Sequence, residues 1–202
     1  NSDGTLAWAK KAGGVLGHDY GRAVAAMSDG AAVVTGTYIG TALFGRGEPN
    51  ETALSSVNGW IDIFIAKYNS DGTLAWAKSA GSDRAEYSYG ATALPDGSAI
   101  ITGKFTEAMF LGAGEPNRTL LTSVGDTDIF IAKYNPDGTL AWAKKAGGVG
   151  SDSGNGLFGF SDGSFMVAGY YSEQAVFGEG GSAITLRPLS VSSNRNLQDV
   201  FV

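Results

Sequence analysis

The chain contains one histidine, His18, in the string Gly17-His18-Asp19-Tyr20-Gly21. A catalytic base or metal ligand there needs a nucleophile or a second donor in fixed register, and the chain offers no Ser–His–Asp arrangement. His18 is therefore expected to be a surface loop residue. Hard oxygen donors occur at Asp126 and Asp128 in Gly-Asp-Thr-Asp, and at Asp152 with Ser151, Ser153 and Asn155. Such loops suit calcium, but they lack the spacing of an EF-hand. The competing reading is turn chemistry, in which Asx side chains bond nearby backbone amides. No cofactor is expected, calcium is the one ion considered, and no catalytic residue is assigned.

Aromatic residues are the other candidates, because a flat apolar ring complements the C–H face of a sugar. Trp8, Trp76 and Trp142 sit inside alternating runs and are expected to pack in the core. Trp60 precedes Ile61-Asp62 and has no counterpart elsewhere, so it is the better candidate for ligand contact. Tyr20, Tyr87 and Tyr89 are placed in connections between units, where they would line a rim. Asn50-Glu51-Thr52 and Asn117-Arg118-Thr119 both satisfy the N-glycosylation pattern at matching places. A turn asparagine copied by duplication is the preferred explanation, with glycosylation the lesser one.

The elements that must position these residues come from an internal repeat. NSDGTLAWAKKAGG at 1–14 returns as NSDGTLAWAKSAGS from Asn69 and as NPDGTLAWAKKAGG from Asn135. DIFIAKYN occurs at 62–69 and 128–135, and Asp199–Val202 reads DVFV. A single array over 1–202 is expected, with approximate repeats 1–68, 69–134 and 135–202. Within the first, Ala23–Met27, the turn Ser28-Asp29-Gly30 and Ala31–Tyr38 read as one hairpin. Asp62–Tyr68, the turn Asn69–Gly72 and Thr73–Lys78 read as a second, because Asp-Gly between apolar runs supplies the positive φ that closes the turn.

Alternation in Thr73–Lys78 places Leu74 and Trp76 on one face, with Ala75 and Ala77 on the other. In Asp62–Tyr68 it sets Phe64 and Tyr68 against Ile63 and Ile65. Neither face is polar, so both must pack, and radially stacked four-stranded sheets make a β-propeller. The Ala- and Gly-rich runs at Ala23–Met27, Ala91–Leu94 and Gly156–Phe160 suit strands near a crowded axis. The stretch from Thr41 to Gly59 and its second copy read as polar surface loops between the hairpins. The fold class expected is all-β, with about three blades of four antiparallel strands.

Composition agrees. Glycine makes up 31 of 202 residues, about twice its usual share of roughly 7%. The absence of cysteine removes disulfides and thiolate metal sites. A formal charge of −6 argues against a nucleic-acid groove. No run is long enough to span a membrane as a helix, and no signal peptide is visible.

The string DIFIAKYNSDGTLAWAKSAG, with the following PDG turn and the Thr-Gly and Phe-Gly elements, resembles the bacterial SBBP-type β-propeller repeat. The resemblance implies a propeller on secreted or surface-exposed proteins and no defined catalytic residues. Three blades are fewer than the roughly four to eight that close a ring. The chain is therefore expected to be part of a longer array or to be completed by other copies, two of which would supply six blades. The expected role is a non-enzymatic extracellular or cell-surface module serving as scaffold, adhesin part or assembly subunit. The alternative is a carbohydrate-binding propeller that uses its loops.

Overall fold

The computed structural model describes residues 2–15, 17–188 and 198–202. In the first repeat the strands are β1 (Tyr20–Ala26), β2 (Ala32–Ile39), β3 (Thr41–Phe44), β4 (Thr52–Ser55), β5 (Ile61–Tyr68) and β6 (Leu74–Ala80). The second repeat supplies β7 (Tyr87–Ala93), β8 (Ala99–Phe105), β9 (Ala108–Leu111), β10 (Thr119–Thr122), β11 (Asp128–Tyr134) and β12 (Leu140–Gly148). The third supplies β13 (Ser153–Gly159), β14 (Phe165–Tyr171), β15 (Ala175–Phe177), β16 (Ile184–Leu186) and β17 (Asp199–Phe201).

Blade 1 is the antiparallel sheet β1-β2-β5-β6, and β7-β8-β11-β12 forms blade 2 in the same order. In blade 3, β13, β14 and β17 occupy the first three positions. The protein is all-β and propeller-like. The innermost strands β1 and β13 both pack against β7, as their small residues require.

The stretch between hairpins is not a polar surface loop. Thr41–Phe44 and Thr52–Ser55 pair as a hairpin of their own, burying Ala42, Phe44 and Leu54. The second copy pairs β9 with β10 and buries Met109, Leu111 and Leu121. In the third copy β15 pairs with β16; the remainder of that stretch, residues 189–197, lies outside the described residues. Four-residue strands alternate too briefly to be told from loops by pattern.

Each accessory hairpin clasps the outer strand of the preceding unit. Gly81 and Phe110 exchange backbone hydrogen bonds of 3.1 Å in both directions. Gly13 and Leu43 do the same. Gly147 and Gly148 pair with Val176 and Ala175, so the sheet of blade 2 runs on through β15 and β16 to six strands.

A bulge corrects the expected faces of the outer strands. Lys67 pairs with Trp76 and Tyr68 with Leu74, leaving Ala75 as an extra residue. Leu74 and Ala77 consequently join Phe44, Phe64 and Tyr68 on one side of blade 1. Trp76 turns to the other side, with Ile63 and Ile65, against blade 2. Its indole lies over the Asp137-Gly138 turn of blade 2, and Nε1 donates to the Pro136 carbonyl at 3.0 Å. Gly138 has φ +85°, and a Cβ there would sit 2.6 Å from the indole. Trp8 covers Gly72 in the same way. The core reading of these tryptophans holds for both.

Candidate functional site

Each innermost strand carries a β-bulge near its start. Register slips between Gly21 and Ala23, between Ser88 and Gly90, and between Gly154 and Gly156. The extra residues are Arg22, Tyr89 and Asn155. A bulge leaves its extra residue out of the ladder and re-aims its side chain. Opposite each bulge lies a glycine: a Cβ on Gly36, Gly103 or Gly169 would fall within 2 Å of a bulged-strand carbonyl oxygen. The backbone thus fixes three side chains of different chemistry at equivalent places on neighbouring inner strands.

Around them gather the aromatic residues singled out in the sequence. Tyr20, Tyr87 and Tyr89 lie in strands β1 and β7, not in connections between blades. A short preceding turn and a glycine-rich strand disguised their place. The Tyr87 and Tyr89 rings stack almost parallel, 6.2 Å apart at 5°. The Arg22 guanidinium sits 4.8 Å from the Tyr20 ring centroid, and Lys104, directly across the ladder from Tyr87, sits 5.4 Å from its ring. Both distances suit cation–π attraction. The Tyr89 hydroxyl is raised above its usual pKa, chiefly by burial and then by Tyr170, with Arg22 opposing. His18 is exposed and stacks on Tyr20.

Trp60 is 47% exposed and follows the short 3-10 turn Val57–Gly59. The next residue, Ile61, accepts the Glu86 N–H at 2.9 Å, which brings Trp60 to the blade 1–blade 2 boundary. Among the described residues it makes no ring contact with the tyrosines. Arg22, Lys104 and Tyr170 were not singled out from the sequence. Arg22 occupies the same bulge position as Tyr89, a signal visible only once the ladder register is known.

The acidic candidates divide. Asp126 is exposed, whereas Asp128 and Asp152 are buried and meet across the blade 2–blade 3 boundary. Asp152 accepts the Gly148 and Ser172 amides at 2.7 and 3.0 Å, and Asn155 accepts the Ser153 hydroxyl. No group of three acidic or histidine side chains placed for a metal occurs among the described residues. The hairpin aspartates are turn residues: Asp71 and Asp137 each accept both the N–H and the hydroxyl of the threonine two residues on. The Ser98 hydroxyl and N–H, then Lys133, hold Asp96 at about 2. Asn50 and Asn117 are exposed, and their side-chain amides donate to the Leu74 and Leu140 carbonyls at 3.2 Å.

No family model matches the chain. It is 24% identical over 159 residues to an uncharacterized WD repeat-containing protein L264 of Acanthamoeba polyphaga mimivirus, a match covering 76% of this chain. The match spans 11% of that relative's length. No helix among the described residues is long and apolar enough to cross a membrane. Together, the distant match and the strand order support a repeat protein of propeller-like build.

Proposed function

We propose that this chain is a non-enzymatic propeller module of the SBBP type, serving as a scaffold or assembly subunit on an extracellular or cell-surface protein. The observation that carries this reading is a cleft of about 600 Å³ bordered by Trp142, Phe165, Val167, Phe177 and Phe201. It is apolar and lies between blades 2 and 3, at the place that Tyr134, Leu140 and Ala143 of β11 and β12 fill between blades 1 and 2. A surface of this kind is stable in water only when covered, as in any stacked repeat array. Its fitting occupant is repeat sequence equivalent to the outer strand β12, from the same polypeptide or from another copy, which would give blade 3 a fourth strand. Footprinting with a carbene label tests this. Trp142 and the exposed cleft residue Ile184 should be protected in the natural polypeptide or in a self-associated form. Full labelling in both the natural polypeptide and a monomeric segment overturns the reading.

The carbohydrate reading is favoured by one specific arrangement, the flat Tyr87–Tyr89 stack beside Arg22. Rigid strands hold these rings, and preorganised aromatic surface is what sugar stacking needs. A glycan array followed by titration of a Tyr89→Ser variant tests it. The expected result is at least about tenfold weaker binding with the fold intact. Equal binding by variant and parent would remove the site.

A further inference from the structure

The boundary between blades 1 and 2 encloses two carboxyl groups, Asp62 from the start of β5 and Glu86 just before β7. They are 1% and 0% exposed. Glu86 accepts the Ser82 N–H at 3.2 Å and its hydroxyl at 2.6 Å. Asp62 accepts the Val57 N–H through Oδ2 at 3.1 Å, while its Oδ1 is buried with no hydrogen-bond partner. Gly81, adjacent to Ser82, is pressed against the Asp62 carboxyl: a Cβ there would lie 2.3 Å from Cγ and 2.5 Å from Oδ1.

Among the described residues, no cation balances this pair. The other charged or titratable groups acting on it are Asp83 on Glu86 and, from β2, Tyr38 beside Asp62. The Tyr38 hydroxyl is occupied by Ser79 at 2.6 Å and pushed up to about 12 by burial. Arg84, two residues from Glu86, is directed to Glu107 at 2.9 Å. Two buried anions without a counter-charge are costly, and such a pair neutralises itself by keeping a proton. The close approach of Gly81 favours a proton over a metal ion, which needs six or so oxygen ligands around it.

We infer that the Asp62–Glu86 pair retains a proton near neutrality, and that its release to solvent loosens the packing of blade 1 on blade 2. Burial pushes Asp62 up to about 7 and Glu86 up to about 8, the Asp62 charge adding to the latter. A carboxyl whose folded pKa exceeds its unfolded value binds its proton more tightly in the folded state. Its contribution is present at acid pH and lost as pH rises through 7 and 8.

The test is thermal melting of the chain and of Glu86→Gln, which keeps the Ser82 hydrogen bond and removes the charge, over pH 5 to 9. The parent Tm is expected to fall by about 5 °C or more across that range, and the variant to lose about half of the fall, Asp62 keeping its own share. Parallel profiles overturn the inference. If Glu86→Gln does not fold, ¹³C titration of the parent carboxyls decides. Titration of at least one of the two above about pH 6 supports the inference, and both titrating below about pH 5 defeats it.

Discussion

The two blade boundaries are built from one plan but differ in how they are filled. Between blades 1 and 2, Val33, Ile63 and Ile65 meet Ile101, Phe130, Tyr134, Met109 and Leu111 in a single core. Between blades 2 and 3 the buried set, among the described residues, is Ile129, Ala146, Tyr171, Ala175 and Phe201. Charge runs the other way. At the second boundary Lys145 lies 3.7 Å from Asp128, whereas Ser79 occupies that place at the first. Burial still raises Asp128, but Lys145 opposes it. The first boundary thus has more apolar packing and an uncompensated acid pair; the second has less packing and a counter-charge. A repeat can vary hydrophobic area and electrostatic balance independently at the same structural position.

Tryptophan truncation should separate the boundaries most. Trp76→Ala removes an indole held by Gly138, Tyr134 and the Pro136 carbonyl, and should cost about 3–4 kcal/mol in chemical denaturation. Trp142, which stacks on Phe165 beside the open cleft, should cost only about 1–2 kcal/mol. Equal losses would show that the cleft is as well packed as the first boundary.

The glutamate clasps should follow with a smaller difference. Glu115 on the second hairpin joins Lys78 of blade 1 at 2.8 Å to the Leu140 amide of blade 2 at 2.6 Å. Its counterpart Glu179 meets Lys144 with both side chains largely exposed. Glu115→Gln is expected to cost about 1–2 kcal/mol, and Glu179→Gln no more than about 0.5 kcal/mol. Urea midpoints of the two variants measure the contrast.

The smallest effect concerns pH. Lys145→Ala removes the opposing charge, so the Asp128 pKa should rise further. Asp152, pushed to about 6 chiefly by burial, shares that boundary. The deficit of the variant should therefore grow as pH rises from about 5 to 8, by about 0.5–1 kcal/mol at most. A deficit independent of pH would mean that Lys145 acts through its packing and its hydrogen bond to the Thr122 carbonyl, not through Asp128.

Much of this architecture was legible in the sequence because it repeats. The Asp-Gly turns marked the hairpins, and the small-residue runs marked the inner strands. Ile63 and Ile65 against Phe64 and Tyr68 gave the two faces of β5 correctly. The same logic failed one strand later, because the extra residue Ala75 inverts the alternation and carries Trp76 to the opposite side from Leu74. The accessory hairpins were hidden by strands too short to show a period. Of the candidate site, the tyrosines were recognised as aromatic but misplaced, and Arg22 was missed. Asp62 and Glu86 are 24 residues apart, and only the meeting of one blade with the next makes them a pair.

The clasping hairpins have a mechanical consequence. Because the sheet of blade 2 continues into β15 and β16 of the next repeat, tension between these blades loads backbone hydrogen bonds together with side-chain packing. Gly147 and Gly148 would have to unzip from Val176 and Ala175 before the blades part. At the first boundary the reciprocal Gly81–Phe110 pair takes the same load. Resistance to pulling is governed by the barrier to unfolding more than by equilibrium stability. An array built this way resists stretching through a backbone latch at each step, whatever residues its variable loops carry.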